Sequence, residues 1–169
     1  DEQQSYYKII KTNSDLLLRL INDILDVSRL EADRVTFTIE ECDVVPLCQR
    51  VLASVSQARK SENEFIFECD RESVDMHTDT QRLQQVIINL LSNADKFTRN
   101  GKITLKLEVD EDKRVAIFSV SDTGTGIPLE KQKLVFERFE KLNEYVQGTG
   151  LGLSICKLTV EKWGGEIWV

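Results

Sequence analysis

Asn89 and Asn93 stand four residues apart in the run Asn-Leu-Leu-Ser-Asn-Ala-Asp-Lys-Phe-Thr, and Lys96 follows one step further along. On a helix that spacing puts both amides on one face. An amide oxygen is a hard donor suited to Mg²⁺, an ion that keeps waters and leans on substrate phosphates. A lysine there offers phosphate a point charge. The same residues could equally cap a helix or bond within it. Downstream, Asp122 enters Thr-Gly-Thr-Gly-Ile-Pro from an apolar run, Ile117 to Ser121. A carboxylate fixed at a strand end can accept a hydrogen bond from an adenine amino group, and Gly124 and Gly126 let backbone approach a ligand. A plain turn is the simpler reading. The third segment is Gly148-Thr-Gly-Leu-Gly-Leu, which follows a polar stretch and opens an apolar-periodic run. A helix start there presents N–H groups that attract phosphate; the alternative is a flexible linker.

Neighbouring motifs narrow the chemistry. Gly148-x-Gly-x-Gly lacks the Gly-x-Gly-x-x-Gly spacing of a dinucleotide turn, and no Gly-x-x-x-x-Gly-Lys loop occurs. Asp122-Thr-Gly also matches the triplet of aspartic proteases, which need two carboxylates sharing a proton. One triplet is present, so a protease would have to be a symmetric dimer.

These residues need elements to hold them. Apolar positions at Ile10, Leu17 and Ile24, with Leu20 and Val27, predict one long helix from about Ser5 to Arg34. A helix this apolar on one side calls for a partner helix or a second copy. Strands are expected at 35–39, 65–69 and 73–76, with a hairpin of 102–109 and 114–121. Helices are expected from Asp43 to Arg59, from Asp79 or Thr80 to Asp95, over 131–139, and from Leu151 to Trp163, the last ended by Gly164 and Gly165. Residues 166–169 start another strand. The sum is an α/β two-layer sandwich: a mixed sheet with helices on one face, preceded by the long helix.

Composition sets the outer limits. The 169 residues suit one compact domain plus an appendage, and the formal net charge of −7 argues against a nucleic-acid partner. No apolar run approaches the roughly 20 residues of a membrane span, and no signal peptide is expected. Cys42, Cys48, Cys69 and Cys156 lack metal-ligand spacing and read as reduced thiols of a cytoplasmic protein. His77 is the only histidine, which excludes a multi-histidine metal site.

Taken together, the segments resemble the ATP-binding catalytic domain of sensor histidine kinases in the GHKL superfamily. Residues 85–98 resemble its N box, 122–127 its first glycine box, 136–139 its F box and 148–153 its second glycine box. Residues 17–32 resemble the second helix of the family's dimerisation domain. The resemblance implies residues 1–34 as part of the dimerisation domain and 35–169 as the ATP-binding domain. It implies ATP and Mg²⁺ as ligands, with Asn93 and Asn89 at the metal and Lys96 at phosphate. Asp122, supported by Gly124, Gly126 and Ile127, would read the adenine amino group. Gly148, Thr149, Gly150, Leu151 and Gly152 would meet the phosphates. Lys141 occupies a position where relatives often carry an arginine that assists the γ-phosphate.

The implied activity is γ-phosphoryl transfer to a histidine for relay to a response-regulator receiver domain, by a homodimer joined through the N-terminal helix region. The family's acceptor histidine, followed by an acidic residue and Arg-Thr-Pro-Leu, has no match here, and the closing strand is incomplete. A fragment of a larger kinase is therefore expected, one that binds ATP without labelling itself and makes no membrane contact of its own. The alternatives are a GHKL-type ATPase, which places a glutamate base where Asn89 stands, and a nucleotide-binding scaffold without kinase activity.

Overall fold

The computed structural model describes residues 2–59, 62–140 and 148–169, with the side chain of Arg59 left out. Two compact units emerge, one of residues 37–127 and one joining 1–36 with 128–169.

In the first unit the sheet and its helices follow from side-chain alternation. Strand β4 (Lys102–Asp110) buries Ile103, Leu105 and Leu107 completely and turns Lys102, Thr104 and Lys106 to the other face. It pairs in parallel with β2 (Glu64–Cys69), Phe65 opposite Ile103, and antiparallel with β5 (Val115–Asp122), Leu105 opposite Val120. The sheet is thus mixed, in the order β2-β4-β5. Helices α2 (Val44–Arg59) and α3 (Thr80–Phe97) pack on each other and on this sheet. They bury Leu47, Cys48 and Val51 from α2, and Leu83, Val86, Ile87, Leu91 and Ala94 from α3. Strands β1 (Glu40–Asp43) and β3 (Asp75–Thr78) form a separate antiparallel pair, with exposed His77 opposite Glu41.

Two aspartates start the helices. Asp43 Oδ1 accepts from the N–H groups of Val45 (3.0 Å) and Val74 (3.1 Å), which ties the α2 start to the approach to β3. Those two N–H groups, Val74 first, hold its carboxyl below the ordinary 3.8, together with a bond from Ser73 and against a smaller rise from burial. Asp79 caps α3 by accepting from Arg82 N–H at 3.0 Å.

In the second unit α1 runs over Glu2–Glu31. Left-handed Asp33 (φ 53°) ends it in a Schellman turn, with Arg34 N–H bonded to Arg29 O at 3.0 Å. Only Val27 and Leu30 of α1 are buried, while Ile10, Leu17 and Ile24 of the heptad seam are exposed. Helix α4 is short (Leu129–Gln132), and α5 (Gly152–Lys162) contacts α1. Gly164, at φ 77°, closes α5 in the same kind of turn, with Gly165 N–H bonded to Val160 O at 3.0 Å. Ion pairs Arg138–Glu31 and Lys162–Asp33 join the C-terminal end of α1 to the rest of the unit.

Four expectations are corrected. Residues 35–39 form no strand; Thr38 N–H goes instead to Asp79 Oδ2 at 2.9 Å, and pairing begins at Glu40. The strand expected at 73–76 lies at Asp75–Thr78, because Val74 N–H is taken by Asp43. The helix expected over 131–139 is α4 alone. Beyond it come successive three-residue turns, from Lys131 O to Leu134 N–H and from Leu134 O to Glu137 N–H, and Phe139 stops them at φ 61°. Residues 165–169 have no regular structure, since no ladder forms on them.

Candidate functional site

Helix α3 faces two ways. Val86, Ile87, Leu91 and Ala94 enter the core, and Asn89, Asn93 and Lys96 remain half-buried. The core face fixes the rotation of the helix and so places the amides and the ammonium. Lys96 Nζ stands 5.2 Å from the centre of the Phe97 ring, a cation–π distance.

The end of β5 delivers Asp122 to the end of α3. Its Oδ1 accepts from Gly124 N–H at 2.8 Å and from Thr98 Oγ1 at 3.2 Å. Thr125 N–H bonds to Phe97 O at 3.3 Å, and Thr123 N–H to Lys102 O at 3.1 Å, so the glycine loop is tied to α3 and to β4. Asp122 itself is exposed. Gly124 is required by space: a Cβ there would overlap Phe97 O and stand 2.7 Å from Asp122 Oδ1. Gly126 is required by conformation, at φ 69° with open space around it. The unit of residues 37–127 therefore brings the C-terminal end of α3 and the Asp122 loop together, with half-buried Ile127 at the end of that loop.

The second glycine run is described with the other unit. Phe139 N–H bonds to Gly150 O at 2.9 Å, and Gly150 adopts φ 71° with the Phe139 backbone against it. A Cβ on Gly150 would lie 2.9 Å from Phe139 Cα. Leu151 is buried and precedes α5, which starts at Gly152. Thr149 Oγ1 donates to Asp23 Oδ2 of α1 at 2.7 Å. Gly148 is half-buried. Lys141 lies outside the described residues.

Three participants escape sequence reasoning. Thr98 closes the asparagine run, yet nothing in the run marks its hydroxyl as the partner of a carboxylate 24 residues away. Asn63 holds Asp95, Thr98 and Gly101 from a position with no motif at all. Asp23 falls within an amphipathic helix pattern that says nothing of Thr149.

The amide oxygens on α3 fit a magnesium ion in donor chemistry, being hard and neutral, and among the described residues no cluster of three His, Cys, Asp or Glu competes for a cation. No described helix is long and apolar enough to cross a membrane.

Comparison with known proteins follows the same lines. The family model described as histidine kinase-, DNA gyrase B-, and HSP90-like ATPase matches residues 78–169. The chain is 38 % identical over 177 aligned residues to the circadian input-output histidine kinase CikA of Synechococcus elongatus, covering 100 % of this chain and 23 % of that protein. It is 29 % identical over 168 residues to the sensor histidine kinase WalK of Bacillus subtilis, covering 96 % of this chain and 28 % of that one. The chain thus spans about a quarter of the length of these curated relatives. Among solved structures, full-length ShkA in complex with AMPPNP aligns with a TM-score of 0.83 at 31 % identity, over 97 % of this chain and 35 % of that one. The histidine kinase ThkA in complex with the response regulator protein TrrA aligns with a TM-score of 0.78 at 30 % identity, over 98 % and 46 %.

Proposed function

The chain belongs to the histidine kinase-, DNA gyrase B-, and HSP90-like ATPase family, and from that premise we propose that its work in the intact protein is transfer of the γ-phosphoryl group of ATP to a histidine of a dimerisation domain. The observation that carries this reading is the Asp122 loop, where one carboxylate oxygen is held by Gly124 N–H and Thr98 Oγ1 on an exposed glycine turn. A carboxylate fixed in that way is prepared to accept from an adenine amino group before any ligand arrives.

The remaining roles follow by residue. Asn93, with Asn89 beside it, holds Mg²⁺, which neutralises charge on the phosphate chain. Lys96 meets phosphate. Gly148, Thr149, Gly150, Leu151 and Gly152 supply backbone to the phosphates; Lys141 keeps the charge of the usual arginine without its planar fork. Residues 1–34 serve as the second dimerisation helix and 35–169 as the ATP-binding domain. The exposed Ile10, Leu17 and Ile24 seam supports a homodimer in the intact kinase. A response-regulator receiver domain is the relay partner and the cytoplasm the compartment.

Asn89 separates this reading from a hydrolase of the same family. An amide cannot take a proton from an attacking water, whereas the glutamate of the hydrolases can. Incubation with γ-³²P-ATP and a separately supplied acceptor domain tests the choice. Acid-labile label on the acceptor histidine, with none on His77, is expected. Steady release of orthophosphate without transfer would identify a hydrolase.

A further inference from the structure

The assignment of Asp122 to the base requires its carboxylate to keep one orientation, and its two donors differ in how firmly they are themselves held. Among the described residues both of its donors converge on Oδ1: Gly124 N–H at 2.8 Å and Thr98 Oγ1 at 3.2 Å. Oδ2 is then the oxygen turned over to a ligand donor. Gly124 N–H belongs to the same loop as Asp122 and moves with it. Thr98 does not: it stands at the C-cap of α3, is 3 % exposed, and has extended backbone at φ −111° and ψ 138°.

Thr98 is itself pinned from two sides. Asn63 spends both ends of its amide on this corner. Its Nδ2 donates to Thr98 O at 3.0 Å and to Asp95 Oδ1 at 2.9 Å, and its Oδ1 accepts from Gly101 N–H at 2.9 Å. Gly101 O in turn accepts from Glu64 N–H at 2.8 Å, which anchors the corner to β2. On the side-chain side, the Thr98 methyl lies over Gly101, where an added Cβ would come within 2.6 Å of Cγ2, so only glycine leaves room for it. With the methyl seated against Gly101, Oγ1 is aimed at Asp122, and the backbone beneath it is held by Asn63.

We propose that Thr98 is a positioning residue for base selection, anchored by Asn63, which locks the Asp122 carboxylate so that Oδ2 selects purines carrying a 6-amino group over those carrying a 6-oxo group. The inference rests on the assignment of Asp122 to adenine. A carbonyl oxygen facing a fixed carboxylate oxygen is repelled, and an amino group is bound. A carboxylate free to rotate can turn away from the carbonyl, so discrimination falls even where binding survives.

Titration of the chain with ATP and with ITP, which has a carbonyl in place of the amino group, reads this directly. The variant is Thr98→Val, which swaps the hydroxyl for a methyl of the same shape on extended backbone that suits it. The ratio of ATP to ITP affinity is expected to fall about fivefold, the share of one net hydrogen bond, and Thr98→Ser, which keeps the hydroxyl, is expected to restore it. Asn63→Ala gives an independent route and should lower the same ratio in a folded protein. A ratio unchanged in Thr98→Val, whether or not both affinities drop in parallel, overturns the proposal, because a merely structural residue would move the melting temperature and not the selectivity. Should the unmodified chain bind ATP no better than ITP, the assignment of Asp122 falls and this inference with it.

Discussion

Alanine at two glycines of the same loop should have opposite consequences, and the difference can be worked out in advance. At Gly126 a Cβ meets nothing within 4 Å, but the residue sits at φ 69°. The cost of Gly126→Ala is therefore conformational, about 1 kcal/mol for an L-residue in the left-handed region, and falls on stability. At Gly124 the backbone is ordinary and the space is not. A Cβ would overlap Phe97 O and stand 2.7 Å from Asp122 Oδ1, and neither backbone nor a bonded carboxylate can yield cheaply. The loop must move, which breaks the 2.8 Å bond from Gly124 N–H to Asp122 and strains the 3.3 Å bond from Thr125 N–H to Phe97 O. A hydrogen bond to a charged acceptor contributes about 1.5–3 kcal/mol, so ATP affinity should fall roughly 10- to 100-fold in Gly124→Ala. Gly126→Ala should bind ATP within about threefold of the parent while melting a few degrees lower. Calorimetric titration with ATP and thermal melts on both variants provide the comparison. ATP affinity in a folded Gly124→Ala equal to that of the parent would refute the reasoning, since it would mean that the carboxylate does not need its own loop to hold it.

Three further outcomes are expected. Asp122→Asn should weaken ATP by about one to two orders of magnitude and leave the melting temperature close to the parent's, as the residue is exposed; equal ATP affinity would remove Asp122 from the base site. Asn93→Ala should abolish the magnesium dependence of ATP binding and change affinity in chelator much less; an undiminished magnesium effect means that Asn93 only bonds within its helix. Burial pushes the Cys48 thiol from an ordinary 9.0 up to about 12, with the Cys69 and Cys42 thiols adding to the rise. Below pH 9.0 that contribution to stability is complete, and it is lost as pH climbs toward about 12, because the unfolded thiol ionises first. Urea melts should accordingly show the parent losing more stability than Cys48→Ala across this interval, and equal losses would place the thiol in a polar setting.

Much of the architecture was legible because it rests on local periodicity. The alternation of Ile103, Leu105 and Leu107 marks β4, the turn at 111–114 marks its hairpin with β5, and Asp79 marks the start of α3. Two of the failures, at 35–39 and 73–76, share a cause: a backbone group claimed by a distant side chain. Residues 35–39 alternate like a strand, but Asp79 takes Thr38 N–H from 41 positions away. The second half of the expected 131–139 helix is lost to three-residue turns and a left-handed Phe139, for which the sequence shows neither glycine nor asparagine. The site divides in the same way. Motif residues such as Asn93, Asp122 and Gly124 announce themselves by type and spacing, whereas Thr98 and Asn63 hold them through contacts 24 to 38 residues apart in the chain.

Titration of the chain with ATP in the presence of Mg²⁺, followed by calorimetry, tests the central claim most directly. Saturable binding with one nucleotide per chain is predicted, weaker in chelator and weaker still for GTP. A chain that is folded by circular dichroism and takes up no ATP at millimolar concentration would contradict the account.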